Sequence, residues 1–529
     1  MRILKFFSHK QKEILYVILI FLFSVFINQY YGNLGVCPID SFWFFNSGYE
    51  ALNGYYPFKD YWTIAGPFIT FTQAFVFKIL GVSWFSYVLH ASIFNFLISI
   101  FTFYTFYKIK LNVHYCFFYA VLVAIIAYPS AGTPYVDHHA SILSIISLFI
   151  FILAIKTDSK IYWFFLPIIL FISFLTKQTP TGNIFLLIVL LSIFYFIINF
   201  NIRKIIFGIL GSAFIISLFF ITLFLTKIPF QNFIEQYIYF PTSIGKIRID
   251  YFLFPLEFSR IFLRFKLIHI PLLVMIFISI QKIRNNPGYI KSNDFIIILS
   301  LLGSSYALIA HQLMTINGMF IFFIIPIVTG FAHTFFLEHY KRKNYFLYFL
   351  IILSFCSTIY YGYKYIDKRD FMDLRNANFN KKIDAGVFDL KLNGLKWISC
   401  LYPDNPKKEI SYLSESINII KNDNRKKSII SDYQFISVIL SKYDYSPTQV
   451  WFINHVVNLK ENSKFFKSYK KILVNQIKKN NIEIAYLIKP LWGGNHVFEK
   501  GLDKTCYKKV KITEIMDSYI IQDCIDLKN

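Results

Sequence analysis

Charged residues in five places have the types that transfer of a phosphate-linked group requires. Asp40 and Asp137 are carboxylates that can deprotonate an acceptor hydroxyl or amine. Lys59, Lys177 and Arg260 are cations that can stabilise a leaving phosphate. Charged residues at the ends of membrane helices are costly to keep unless they bind a ligand or pair with one another. These residues therefore indicate transfer of a group that a phosphate carries.

The phosphate is not expected to belong to a nucleotide. Neither GxxxxGK[ST] nor GxGxxG, the two glycine-rich nucleotide-binding motifs, occurs in the sequence. A polyprenyl phosphate is the alternative carrier, and its prenyl tail needs an apolar groove beside a water-filled cavity. A lipid-linked donor also suits the outer face of a membrane, where nucleotide sugars are scarce.

The composition indicates the elements that must position these residues. Hydrophobic residues make up 56% of the 529 residues, charged residues only 16%, and the mean hydropathy is +0.50. Soluble proteins carry about 25% charged residues, and apolar runs of roughly 18 residues recur through the first two thirds of this chain. A single soluble enzyme, a fibrous protein and a disordered chain are excluded. The sequence predicts an α-helical polytopic membrane protein with a soluble C-terminal domain.

The net charge of +24 does not indicate a nucleic-acid partner. Lysine and arginine gather in short clusters between the apolar runs, where they set membrane orientation. No nucleic-acid-binding module is visible. Membrane lipids are the expected surroundings, and nucleic acid is not an expected partner.

The apolar runs predict about eleven membrane spans. They cover residues 14–31, 85–107, 113–129, 140–156, 161–176, 181–200, 205–226, 266–281, 295–313, 316–336 and 344–362.

The basic clusters predict the orientation of these spans. Lysines precede the first span, which places the N-terminus in the cytoplasm, and the later clusters fall after every second span. An odd number of spans then leaves the C-terminus outside. The chain is predicted to be a multi-pass protein of the inner (cytoplasmic) membrane, with a transmembrane domain at 1–362 and an extracytoplasmic (periplasmic) domain at 363–529.

Three predicted outer stretches, 32–83, 129–139 and 226–266, hold most of the candidate residues. The first contains an apolar segment at 68–81 that is too short to cross, so we expect a helix lying at the membrane interface.

The C-terminal domain is predicted to be α/β. Segments 428–430 and 482–488 have the pattern of strands, and 409–421 that of an amphipathic helix. Segments 507–513 and 518–525 predict a hairpin, which Cys506 and Cys524 can close with a disulfide outside the cytoplasm. Two unpaired thiols are an equally good interpretation.

The first outer stretch also resembles a known family. An acidic residue follows the first span in PIDSFW (38–43), then come LNGYYPFKDYW (52–62), GP (66–67) and a short apolar helix. This pattern, over roughly the first 200 residues, resembles the GT-C fold integral-membrane glycosyltransferases, and most nearly their protein-mannosyltransferase-like and aminoarabinose-transferase-like branch.

The resemblance implies roles for individual residues. Asp40 matches the family's first-loop acidic residue, which is proposed as catalytic base or acceptor-positioning group, and Asp137 matches a second acidic position. Lys59 and Asp60 fall where relatives have charges near the donor phosphate and sugar. Lys177, in LTKQTP (175–180), matches a lysine that contacts the lipid-linked phosphate. Many relatives have an acidic pair in the first loop, whereas Ser41 follows Asp40 here, so a requirement for a divalent cation stays open.

Several of these residues have simpler interpretations. Asp40 can be a solvated residue or a helix cap, and Lys177 can extend to the lipid headgroups. Asp137 and the histidines after it can form a metal site or a cap, and His138 is a further substrate-binding candidate. His311 and Gln312 either bind substrate or join two helices by a hydrogen bond.

The predicted function is transfer of a sugar, a hexose or a pentose, from a polyprenyl-phosphate donor to an envelope lipid, glycan or protein on the outer face. One alternative is a transporter or flippase of lipid-linked saccharides. Transporters bind near the midplane through broken helices arranged as repeats, whereas this midplane carries almost no charge and no repeat is visible. The other alternative is a non-catalytic envelope assembly protein, which would tolerate substitutions at Asp40 and Asp137.

Overall fold

The computed structural model describes residues 9–128, 130–245, 258–315, 320–340, 345–369, 372–442, 445–449, 463–491, 496–524 and 527. The α-helices are α1 His9–Gly32, α2 Pro38–Ser41, α3 Trp43–Leu52, α4 Pro67–Leu80, α5 Trp84–Lys108, α6 Val113–Ile126, α7 Val136–Lys156, α8 Lys160–Phe174, α9 Thr181–Ile198, α10 Ile202–Thr226, α11 Phe230–Phe233, α12 Lys266–Asn285, α13 Asn293–Thr315, α14 Ile324–Tyr340, α15 Tyr345–Lys368, α16 Pro406–Asn422, α17 Phe435–Leu440, α18 Phe466–Asn480 and α19 His496–Gly501. Two π-helices cover Ile234–Tyr239 and Ser259–Leu263. The strands are β1 Leu34–Val36, β2 Ile383–Asp384, β3 Lys396–Ser399, β4 Lys427–Ser431, β5 Ile484–Ile488, β6 Tyr507–Lys511 and β7 Met516–Ile521.

The helical, membrane-spanning character of the chain is confirmed. Within the described residues, every predicted span contains a helix, and eight helices are long and apolar enough to cross a membrane. The predicted spans at 113–129, 161–176 and 316–336 correspond to α6, α8 and α14, which have 14, 15 and 17 residues. These are shorter than the about 20 residues that a bilayer core requires, so eleven crossings stay a prediction.

The chain packs as two compact units. Unit 1 consists of Met1–Gly32, Ala91–Phe219 and Phe254–Phe371, and unit 2 of Asn33–His90, Phe220–Leu253 and Met372–Asn529. The units are discontinuous because the segments that carry two of the predicted outer stretches pack with the C-terminal region. The predicted boundary after residue 362 divides the chain in sequence order, and it stays a prediction.

Helix α7 forms the core of unit 1. It is buried over its whole apolar length, since α8, α9 and α13 pack around it. A helix that is apolar on all sides must be covered in this way in a protein interior. The Ser147 hydroxyl donates to the Leu143 carbonyl within the helix at 2.9 Å.

The entry to α7 is held against the end of α1. The Asn28 amide donates to the Gly132 carbonyl at 2.8 Å. Gly132 has φ +74°, and a Cβ there would lie 2.4 Å from the backbone nitrogen of Gly32. Only glycine fits this approach and this conformation, so the contact fixes where α7 begins.

The opposite end of α7 carries ion pairs between predicted basic clusters. Lys156 lies 2.6 Å and Lys282 3.8 Å from the Asp294 carboxylate, and Lys204 pairs with Asp158. Three clusters that the sequence places on one side of the membrane therefore lie at one end of unit 1.

The first outer stretch is folded and is not a plain loop. Within unit 2, β1 pairs in parallel with β3, with Val36 opposite Ser399, and β2 pairs antiparallel with β3. Helix α3 packs on α4, whose 14 residues confirm the helix predicted at 68–81. Its place at the membrane interface stays a prediction.

The α/β character of the C-terminal region is confirmed. A four-stranded sheet has the order β4-β5-β7-β6, in which β4 and β5 are parallel and β6 and β7 form the predicted hairpin. Helix α16 covers the predicted helix at 409–421. Cys506 and Cys524 form a disulfide, which decides between the two interpretations of these cysteines.

Candidate functional site

The predicted site residues are divided between the two units. Asp137, His138, Lys177 and Arg260 belong to unit 1, whereas Asp40, Lys59 and Asp60 belong to unit 2.

In unit 1, the Asp137 carboxylate is held by a lysine and a histidine. The Lys177 ammonium donates to both oxygens, at 2.8 and 2.7 Å. The His311 Nε2 lies 2.6 Å from Oδ1. Because an ionised carboxylate only accepts hydrogen bonds, this geometry places a proton on Nε2. His311 thus joins Asp137 and Lys177 as the third member of the cluster. The sequence left two interpretations of His311 open, substrate binding and a hydrogen bond between helices.

Three helix ends bring this cluster together. Asp137 is the second residue of α7, where the helix dipole favours a negative charge. Lys177 lies in the turn between α8 and α9, and His311 lies near the C-terminal end of α13. Asp137 and His311 are buried, at 1% and 0% exposure, whereas 22% of the Lys177 side chain is exposed. The cluster therefore presents its lysine, and not its carboxylate, to the surroundings.

The histidines after Asp137 point elsewhere. The His138 Nε2 lies 2.9 Å from the Ser130 hydroxyl, and its ring stacks on Tyr128 at 4.4 Å. His139 bonds to the Tyr128 hydroxyl. Over the described parts of the chain, no group of three or more histidine, cysteine, aspartate and glutamate side chains is placed to hold a metal ion. Both histidines are buried and each has a hydrogen bond, and the role of His138 in substrate binding stays a prediction.

The remaining candidate of unit 1, Arg260, lies on the π-helix Ser259–Leu263 and is exposed.

In unit 2, Asp40 lies on the short helix α2, directly after β1, and is half-buried. Two hydrogen bonds hold the start of this helix. The Asp40 amide donates to the Cys37 carbonyl at 3.1 Å, and the Cys37 amide donates to the Ser41 hydroxyl at 3.0 Å. The pairing of β1 with β3 therefore sets the position of Asp40.

Lys59 and Asp60 follow a strained residue. Phe58 has φ +67°, which is unusual for a bulky side chain and costs of order 1–3 kcal/mol. Its ring is fully buried against Phe233. Its carbonyl accepts from the amides of Asn232 at 2.9 Å and Gln236 at 3.1 Å. The surroundings thus hold the conformation that directs Lys59 and Asp60.

Asp60 is buried and surrounded by donors. Its Oδ2 accepts from the Tyr56 amide at 2.9 Å. Lys59 and Lys479 lie 4.0 and 3.4 Å from its two oxygens, and its carbonyl accepts from the Gln476 amide. Two of these partners come from α18, more than 400 residues further along the chain.

These residues border a cavity of about 490 Å³ within unit 2. It is lined by Lys59, Asp60, Pro229, Gln231, Asn232, Glu235, Gln236, Ser468, Lys471, Ile472, Asn475, Gln476 and Lys479. Sequence reasoning identified the first two and missed the rest. The lysines of α18 can be read from the sequence. No pattern of neighbouring residues indicates that this helix packs against the first outer stretch.

Comparisons with known proteins were made at the level of sequence and of structure. No protein-family model matches the sequence, and no curated protein matches it. Among solved structures, the chain is similar to the archaeal oligosaccharyltransferase AglB from Archaeoglobus fulgidus, in complex with an inhibitory peptide and a dolichol-phosphate.

The similarity to this oligosaccharyltransferase is weak. The match covers 90% of this chain and 69% of that one, at 11% identity and a TM-score of 0.42. A similarity this weak transfers neither site residues nor an activity.

Proposed function

We propose that this protein is a membrane glycosyltransferase that moves a sugar from a polyprenyl-phosphate donor to an envelope lipid, glycan or protein on the outer face. The observation that carries the proposal is the Asp137–Lys177–His311 cluster. A lysine fixed by a buried carboxylate and partly open to its surroundings is suited to bind a phosphate and to stabilise charge that develops on it.

The predicted side of the membrane is consistent with the two ends of α7. From Asp137 to Lys156 the helix rises roughly 28 Å at 1.5 Å per residue, close to the about 30 Å of a bilayer core. The basic ion pairs lie at the Lys156 end. If that end is cytoplasmic by the positive-inside rule, Lys177 is at the outer end.

In the proposed reaction, a carboxylate takes the proton of the acceptor hydroxyl or amine, and Asp40 is the residue predicted from the sequence for this role. The acceptor atom forms a bond to the anomeric carbon, and the bond from that carbon to the phosphate oxygen breaks. The electron pair stays on the polyprenyl phosphate, where Lys177 stabilises the added charge. Asp137 is committed to Lys177 and His311, so we assign it the role of a positioning residue. The acceptor, the sugar and a need for a divalent cation are left open.

The test is transfer of radiolabelled sugar from a panel of polyprenyl-phosphate sugars by the full chain in lipid. Asp40→Asn should lower transfer by about 10²–10⁴-fold while donor binding stays near wild type. Wild-type transfer by Asp40→Asn at unchanged expression would remove Asp40 from the mechanism. Movement of intact donor across the bilayer with no bond broken would favour the transporter.

The Lys177 role needs a variant that keeps the fold. Lys177→Ala leaves Asp137 buried without its lysine, which costs about 3–5 kcal/mol when a buried pair is broken. The double variant Lys177→Gln/Asp137→Asn replaces the charged pair with a neutral one. It should fold, bind donor weakly and transfer slowly. Lys204→Gln/Asp158→Asn, a neutralised pair at the other end of α7, is the matched control and should transfer normally.

A further inference from the structure

We propose that the cavity of unit 2 binds an acidic saccharide, a sugar bearing a carboxylate or a phosphate, as part of the acceptor. That this saccharide is part of the acceptor rests on the proposed glycosyltransferase function, whereas its binding to the cavity does not.

The cavity walls are fixed before a ligand arrives. The first outer stretch is clamped on one side by Asn232 and Gln236, which donate to the Phe58 carbonyl. On the other side, the Tyr55 hydroxyl donates to Gln476 on α18 at 3.1 Å. Three segments far apart in sequence therefore form one preorganised wall, which lowers the ordering cost of binding.

The lining has the chemistry of a sugar site. Eleven of the thirteen lining residues are polar or charged, and the volume of about 490 Å³ lies within the range of small-ligand sites. Gln231 and Asn475 are exposed, and neither side-chain amide has a hydrogen-bond partner among the described residues. Each amide can both donate to and accept from sugar hydroxyls.

The charge of the lining favours an anion at one position. Lys59 and Lys479 are directed at Asp60, and the Glu235 carboxylate accepts from the Ser468 hydroxyl at 2.5 Å. Lys471 is the third lysine of the lining, and it has no ion pair or hydrogen bond among the residues that the structure describes. It is therefore available to pair with an anionic group on the ligand.

The apolar content argues against a lipid-linked donor in this cavity. Among the described residues that line the cavity, Pro229 and Ile472 are the only apolar ones, whereas a prenyl tail requires a continuous apolar groove. A sugar with an acidic substituent satisfies the amides and Lys471 together, which a prenyl phosphate cannot do.

Binding of digalacturonic acid to the full chain in lipid nanodiscs tests this inference, with its dimethyl ester, mannose 6-phosphate, mannose and a short-chain polyprenyl phosphate as comparison probes. The two acidic sugars should bind at least tenfold more tightly than their neutral counterparts. Lys471→Gln should remove most of this preference, and Lys471→Arg should retain it. Lys467→Gln, the same charge change one turn earlier on α18 and outside the cavity lining, should bind as wild type does.

Equal binding of acidic and neutral sugars, or equal weakening by Lys467→Gln and Lys471→Gln, would overturn the inference. So would competition by the polyprenyl phosphate with no binding of either acidic sugar. The same experiments distinguish this inference from the proposed function. If acidic sugars bind in a Lys471-dependent way but no sugar is transferred, the transferase function alone is refuted. If sugar is transferred normally but acidic sugars do not bind in this way, the acidic-saccharide site alone is refuted.

Discussion

Asp137 shows how a residue's partners decide its role. Its sequence position is consistent with a catalytic base, but the structure surrounds its carboxylate with Lys177 and His311. A base must have a free lone pair directed at substrate, and a carboxylate held by two donors is better suited to orient them. The sequence could name Asp137 and Lys177 separately. It could not pair them, because the turn between α8 and α9 determines where the lysine points.

We predict that the effects of changing Asp137 and Lys177 are not additive. Asp137→Asn should raise the donor KM and lower kcat as Lys177→Gln does, and the double variant should be little worse than either single one, since both changes remove one interaction. Steady-state kinetics of the four proteins measure this. Additive losses would show that Asp137 acts independently of Lys177.

Among the structural elements, the disulfide-closed hairpin β6–β7 has a measurable role. It packs as the edge of the four-stranded sheet, with Cys506 and Tyr519 in the core beneath it. A disulfide of this loop length typically stabilises by about 2–4 kcal/mol.

Reduction should therefore lower the thermal unfolding midpoint of the full chain. The variant Cys506→Ser/Cys524→Ser should start from the lower midpoint and should not respond to reductant. A reductant response that persists in this variant would assign the effect to other cysteines.

Glu409 on α16 is a buried carboxylate whose protonation affects stability. Desolvation raises the pKa of Glu409 above its ordinary 4.5, against the opposing hydrogen bonds from Trp397, Tyr433 and Ser399. Between the ordinary and the raised pKa, the folded state binds more protons than the unfolded state, so stability falls as pH rises.

Glu409→Gln should remove this part of the pH dependence. The melting midpoint of wild type should fall relative to that of the variant as pH increases from 4.5 toward neutrality. Differential scanning fluorimetry of both proteins across this range is the measurement, and parallel profiles would contradict the role of Glu409.

Across the whole molecule, the sequence predicted the helices and strands but not the contacts between segments that are far apart in the chain. Apolar runs predict spans, and short apolar, β-branched segments predict strands such as β4 and β5, because both patterns are read over neighbouring residues. The pairing of β1 with β3 and the packing of α18 beside Asp60 depend on segments hundreds of residues apart. Of the residues that line the cavity beside Asp60, the sequence therefore predicted only Lys59 and Asp60 as site residues.

The predicted orientation is testable on the intact chain. The clusters at Lys156, Lys204 and Lys282 share one end of unit 1, and the positive-inside rule places that end in the cytoplasm. An alkaline-phosphatase fusion after Tyr365 should be active, and one after Lys160 should be inactive. The reverse pattern would invert the topology and remove the outer-face reaction.

The parallel pairing of β1 with β3 also has a consequence for biogenesis. Val36 and Ser399 are separated by roughly 360 residues, which a ribosome adds in about 20–70 s at 5–20 residues per second. During that time β1 has no native partner strand, and the helix carrying Asp40 has no support from β3. The segment that bears the proposed base is among the first parts of the protein to be made and among the last to fold.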